Sequence, residues 1–182
     1  MVGFIYRVTK AFKKPDSLIL LYKTLIRSIL EYASVIWSPF YAIHSDAIER
    51  VQKKFLRLLY YKVNKSSRGI PDYQERLTMF NLESLAERRK IFDIIFLYKI
   101  HHGLLDSINL LSCLNYNTQK RCRSYEPFRL KTYRNNTSYF NPIVRMCRLY
   151  NELVRVNKVL DINVSSLGVL KTQLKNVKTK VK

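Results

Sequence analysis

Between Pro15 and Pro39 runs the segment PDSLILLYKTLIRSILEYASVIWSP, which is apolar around most of the circumference of a helix. A segment of that kind must be covered on several sides, so it dictates a helix at the centre of a packed bundle. Pro15, Asp16 and Ser17 supply the start signal: a proline suited to the first turn, followed by acceptors for its unsatisfied N–H groups. At helical spacing only Lys23, Arg27, Glu31 and Ser34 share a narrow polar stripe, with Arg27 and Glu31 placed to pair at i,i+4. Pro39 disfavours helical geometry at Ser38 and ends the run near Trp37.

Helical spacing continues downstream. A second helix is expected from about Ser45 or Asp46, where Asp46 and Glu49 approximate a capping box. Its faces divide: Ile48, Val51, Phe55, Leu58 and Leu59 fall on one arc, and Arg50, Lys53, Lys54 and Arg57 fall opposite, with Tyr61 beside them. A short helix is expected from about Asp72 to Phe80. Ser84 and Glu87 then form a fuller capping box ahead of RRKIFDIIFLYKIHHG, which Gly103 is placed to terminate. Further helices are expected from Pro142 to Val156 and through LKTQLKNVKTKVK to about Asn176, beyond which the lysine-rich end should fray. Residues 117–140 combine Pro127, Asn135 and Asn136 with the alternating stretch FRLKTYR. The fold class is therefore an all-α helical bundle, with room for one short β-hairpin around 121–140.

The charge narrows the partner. The 182 residues carry 33 Lys and Arg against 13 Asp and Glu, a net +20. That balance points to a polyanion, nucleic acid first. It is not spread evenly: residues 1–65 hold 12 basic and 4 acidic side chains, 66–116 hold 6 of each, and 117–182 hold 15 and 3. A neutral segment suited to packing separates two cationic regions. No stretch reaches the ~18 consecutive apolar residues of a spanning helix, and MVGFIYRVTKAFKK contains no secretory signal, so a membrane is not expected as a partner. Cys113, Cys122 and Cys147 are odd in number and scattered, which fits a reduced intracellular setting better than a disulfide framework.

The residues that catalysis would need do not converge. The acids are spread one or two per predicted helix, without an adjacent pair or an Asp-x-Asp to hold two metal ions roughly 4 Å apart. The four glycines are isolated, so no loop cradles a phosphate. His44, His101 and His102 all precede the cysteines, which removes any zinc-finger spacing. His101 and His102 sit where they would favour a helix C-terminus, Glu31 is accounted for by Arg27, and Trp37 reads as a packing anchor where helix meets turn. No catalytic residue and no metal ligand are assigned.

At LYKTLIRSILEYASVIWSPF the chain resembles the region that follows the polymerase palm in reverse transcriptases of jockey-like, insect-type non-LTR retrotransposons. GFIYRVTKAFKKP, IERVQKKFLRLL, ERLTMFNLESLAERRKIFDIIFLYKIHHG and NPIVRMCRLYNEL resemble, in order, stretches of the same proteins. The likeness extends from Gly3 to about Leu174. That family also carries palm aspartates in a YxDD-type motif and an N-terminal endonuclease, and neither occurs in these 182 residues.

The resemblance implies the thumb and C-terminal region of such an RNA-directed DNA polymerase, starting downstream of both catalytic domains and inactive as a polymerase by itself. Residues 1–65 would be the thumb-like basic helical region, and 66–182 a C-terminal helical region with a basic arm and tail. A thumb holds the template–primer duplex by its backbone, so its cations should contact phosphates without reading sequence. Arg50, Lys53, Lys54 and Arg57 are the first expected contacts. Lys10, Lys13 and Lys14 form a second patch, and Lys120, Arg121, Arg123, Arg129, Lys131 and Arg134 a third. No cofactor is expected in this chain; magnesium is implied only for the palm. The implied partners are an RNA/DNA duplex and the palm domain, and the implied compartment is the nucleus. A reading from another class is a helical protein-interaction module docking through residues 84–102, or a decayed retroelement remnant without retained activity.

Overall fold

The computed structural model describes residues 2–9, 12, 14–64, 69–105, 108–117, 126–132, 135–156, 160–163 and 166–180, with side chains of the last helix described through Leu174. The fold is all-α. The helices are α1 (Val2–Val8), α2 (Pro15–Leu21), a π-helical segment (Tyr22–Arg27), α3 (Ser28–Glu31), α4 (Ser34–Trp37), α5 (Ala42–Asn64), α6 (Tyr73–Met79), α7 (Leu85–His101), α8 (Ile108–Ser112), α9 (Asn136–Tyr139), α10 (Pro142–Val156) and α11 (Leu167–Lys180). Two compact units, Met1–Arg89 and Lys90–Lys182, divide inside α7 rather than at residue 65, because α6 packs on α5.

In the first unit α5 is the spine, and α1, α2 and α6 pack along it. Its core joins Val2 and Ile5 to Leu18, Tyr22 and Ile26, to Phe55, Leu56 and Leu59, and to Leu77 and Leu82. Tyr22 and Phe55 stack with ring centroids 4.2 Å apart. The inward face of α5 is rotated from the sequence expectation: it centres on Gln52 and Leu56, both 0% exposed, whereas Ile48, Val51 and Leu58 are half-buried. A glutamine can hold that position because all its polar atoms are used. Its Oε1 accepts from Tyr22 Oη at 2.6 Å, and its Nε2 donates to Tyr73 Oη at 3.0 Å and to the Glu83 carbonyl at 2.8 Å.

The apolar run 15–37 is not one continuous helix. Thr24 Oγ1 donates to the Leu20 carbonyl at 3.0 Å, and Ser28 Oγ donates to the Thr24 carbonyl, so hydroxyls compete with the backbone ladder where it widens into the π-helical segment. The run breaks again at Ala33, whose φ is 50°. These shifts disperse the expected polar stripe: Ser34 is buried, while Leu25, Ile29, Tyr32 and Ile36 are exposed. Helix α5 begins at Ala42, three or four residues before the expected start at Ser45 or Asp46, so Asp46 and Glu49 lie inside it instead of capping it.

Other punctuation follows the sequence closely. Asp72 and Glu75 form a reciprocal capping box on α6. Gly103, at φ 63°, closes α7 in a Schellman turn, with the Gly103 N–H to the Ile100 carbonyl at 3.1 Å and the Leu104 N–H to the Lys99 carbonyl at 2.9 Å.

In the second unit the core gathers Ile94, Leu97 and Tyr98, Phe128, Met146 and Tyr150, and Leu160, Ile162 and Leu170. Asp93 and Arg145 form a two-pronged ion pair at 3.0 and 3.1 Å. Among the described residues the expected hairpin contracts to one antiparallel bridge, Tyr116 with Phe128, and residues 136–139 form a helical turn. The edge of Phe128 is taken by a side chain: its N–H donates to Asn151 Oδ1 at 3.1 Å, and its carbonyl accepts from Asn151 Nδ2 at 2.7 Å. Helix α11 runs past Asn176 to Lys180. Among the described residues no helix is long and apolar enough to cross a membrane.

Candidate nucleic-acid interface

A helix of 23 residues is roughly 35 Å long and displays its outer face as a ridge. Arg50, Lys53, Lys54 and Arg57 occupy that ridge on α5 and are all exposed, as the 3.6-residue period required. Burial of Phe55, Leu56 and Leu59 on the opposite side fixes the rotation of the helix, and with it the outward aim of the four cations. Among the described residues none of the four forms an ion pair. Of the nearby acids, Asp46 is exposed one turn before Arg50 without an ion pair to it among the described residues, Glu49 faces inward, and Glu31 is held by Arg88 and Arg27.

Two of the cations are steered by aromatic rings. Lys53 Nζ lies 5.2 Å from the centroid of Tyr73, and the Arg57 guanidinium lies 5.9 Å from that of Tyr61. Such contacts orient a long side chain without neutralising it, leaving its charge available to a phosphate. Tyr73 is itself fixed, because its hydroxyl donates to Glu49 and accepts from Gln52. Burial first, and then the hydrogen bond to Glu49, push the Tyr73 phenol well above its ordinary range, so it stays neutral beneath Lys53.

The other two predicted patches are only partly placed. Lys14 is exposed at the start of α2, whereas Lys10 and Lys13 lie outside the described residues. Arg129 and Lys131 are exposed just beyond Phe128, whereas Lys120, Arg121, Arg123 and Arg134 lie outside the described residues. The arginines of α10 have structural partners: Arg145 binds Asp93, Arg155 binds Glu126, and Arg148 sits 3.9 Å over the ring of Tyr139. Lys62, at the end of the α5 ridge, is also occupied, by the Thr9 carbonyl and the ring of Tyr6.

His101, His102 and Trp37 each hold hydrogen bonds to neighbouring segments, Trp37 while remaining exposed. His101 Nδ1 and Nε2 lie 2.8 Å from Tyr116 Oη and 3.1 Å from Asn163 Oδ1, and His102 Nε2 lies 2.9 Å from the Ile162 carbonyl. Both histidines thus tie the end of α7 to neighbouring loops. Trp37 donates to the Tyr32 carbonyl at 2.5 Å, closing the α3–α4 corner. Burial pushes the Cys147 thiol up to about 12. Among the described residues no three His, Cys, Asp or Glu side chains come together.

The sequence pattern misassigns Glu49, and it gives Glu31 to Arg27 although Arg88 makes the two-pronged contact. Glu49 caps α7 from a distance, a relation that only the packed structure exposes. No protein-family model matches the chain, and no curated protein or solved structure matches it either.

Proposed function

We propose that this protein is a nucleic-acid-binding helical module, the thumb and C-terminal part of a non-LTR retrotransposon reverse transcriptase, that grips the template–primer duplex by its phosphates. The observation that carries the reading is the α5 ridge, four exposed cations on one helix face that form no ion pair among the described residues. Four cations within two turns of one helix can meet neighbouring phosphates, and they displace condensed counterions without reading base edges. Polymerisation belongs to palm carboxylates that have no counterpart among these residues. The module therefore binds and does not synthesise, and its place of work is the nucleus, beside the palm.

The test is fluorescence anisotropy of the purified 182-residue chain with an RNA/DNA hybrid at about 0.15 M salt. Saturable binding, equal for two unrelated hybrid sequences and weakening steeply with salt, is the expected result. Failure to bind either hybrid would remove the proposal. A primer-extension assay with magnesium should yield no product; reproducible extension would overturn the division of labour between this chain and the palm.

A further inference from the structure

A cleft of about 410 Å³ opens between α1, the 22–31 segment and α5. Val2 and Gly3 form one wall, Ile26 and Ile29 the second, and Val51 and Lys54 the third. We propose that it is a docking groove for an acidic amphipathic helix of a partner protein.

Three features support this occupant. The lining is aliphatic and reaches the surface: Ile26 is buried at the floor, while Ile29 is 60% exposed at the lip, one turn from exposed Leu25. A groove of this kind takes leucine-like anchors at i, i+3, i+4 and i+7 of a docked helix. Next, α1 carries a glycine where it meets the cleft. A Cβ on Gly3 would touch nothing within 4 Å among the described residues, so the vacant side-chain position leaves room for an incoming anchor. Finally, the rim is cationic. Lys54 is the charged lining residue, Arg50 stands exposed one turn away, and Glu31 and Glu49 are turned to internal partners.

Charge complementarity then selects among occupants. A second copy would bring another basic surface, since residues 1–65 hold 12 basic and 4 acidic side chains. Among the described lining residues a nucleobase would find no aromatic face to stack on and no side-chain donor besides Lys54. An acidic helix satisfies both the apolar walls and the basic rim. The groove shares Lys54 and Arg50 with the α5 ridge, and Gly3 and Ile29, which are not on that ridge, separate peptide docking from duplex binding.

The test uses the full chain and a fluorescein-labelled, acetylated peptide of about 18 residues built from Leu, Glu, Gln and Ala, with leucines at i, i+3, i+4 and i+7. Controls are its scrambled version and a version with Lys in place of Glu. The acidic helix should bind saturably and at least about tenfold tighter than either control. Gly3→Leu, which fills the cleft, should weaken it about tenfold or more while duplex affinity is unchanged. Ile29→Gln, an exposed site that folding tolerates, should weaken it in the same direction. Lys54→Glu should lose the acidic peptide and gain the lysine peptide. The proposal is overturned if the acidic and scrambled peptides bind equally, or if Gly3→Leu and Ile29→Gln both retain parental affinity. It also falls if Gly3→Leu weakens a labelled single-stranded oligonucleotide instead of the peptide.

Discussion

Glu49, in the middle of α5, caps the first turn of α7: its carboxylate accepts the Leu85 N–H at 3.1 Å, and its second oxygen accepts the Ala86 N–H at 3.2 Å. A buried carboxylate is tolerable there because the helix N-terminus presents unsatisfied donors and a favourable dipole. Ser84 Oγ accepts the next donor, from Glu87, at 3.2 Å, so local and distant acceptors share the cap.

Removing that carboxylate leaves buried N–H groups without an acceptor. Glu49→Ala should cost about 2–3 kcal/mol in urea unfolding. Glu49→Gln, which keeps one acceptor oxygen, should lose less. An alanine variant within about 0.5 kcal/mol of the parent would show that the cap contributes little.

The ion pair of Asp93 with Arg145 makes a different demand. The Asp93 side chain is 4% exposed, so deleting Arg145 takes two charge-assisted hydrogen bonds from a carboxylate held away from water. Asp93→Ala or Arg145→Ala should each cost about 3–5 kcal/mol, whereas the double change to Leu and Met should recover most of the loss. A double-mutant cycle with no coupling would contradict the buried pairing.

Much of this arrangement is legible in the sequence because it depends on local rules. Pro142 sets the start of α10, Gly103 ends α7, and the period of α5 places Arg50, Lys53, Lys54 and Arg57 together. What is not legible depends on tertiary partners. Glu49 looks like a local cap until α7 is seen to begin beside it, and Gln52 looks like a surface residue until Tyr22, Tyr73 and the Glu83 carbonyl surround it. The apolar run 15–37 reads as a fully enclosed helix. The hydroxyls of Thr24 and Ser28 and the left-handed Ala33 break its register and bring Leu25 and Ile29 to the surface.

Alkali should destabilise the fold through buried acids. Burial holds the Cys147 thiol neutral up to about 12 and raises the Tyr22 phenol too, so both groups bind their protons more tightly folded than unfolded. Their contribution is complete below the unfolded thiol value of about 8.5 and declines as pH rises towards the folded values. Urea midpoints should therefore fall above pH 9, and Cys147→Ala should flatten part of the decline. In a Cys113→Ser/Cys122→Ser background, Cys147 should react with a thiol reagent at pH 8 only as fast as the protein opens. Rapid labelling of the folded protein would contradict its burial.

The most direct measurement is the salt dependence of hybrid binding after Arg50, Lys53, Lys54 and Arg57 are all replaced by Gln. The exposed helix face should tolerate the change, and circular dichroism should remain helical. Each lost phosphate contact should reduce the magnitude of the slope of log K against log salt by roughly 0.7 to 0.9, so the four together should reduce it by about 3. Affinity should fall equally for unrelated hybrid sequences. A variant that keeps both the parental affinity and the parental slope would show that the α5 ridge is only a solvated face, contradicting the claim that it grips the duplex.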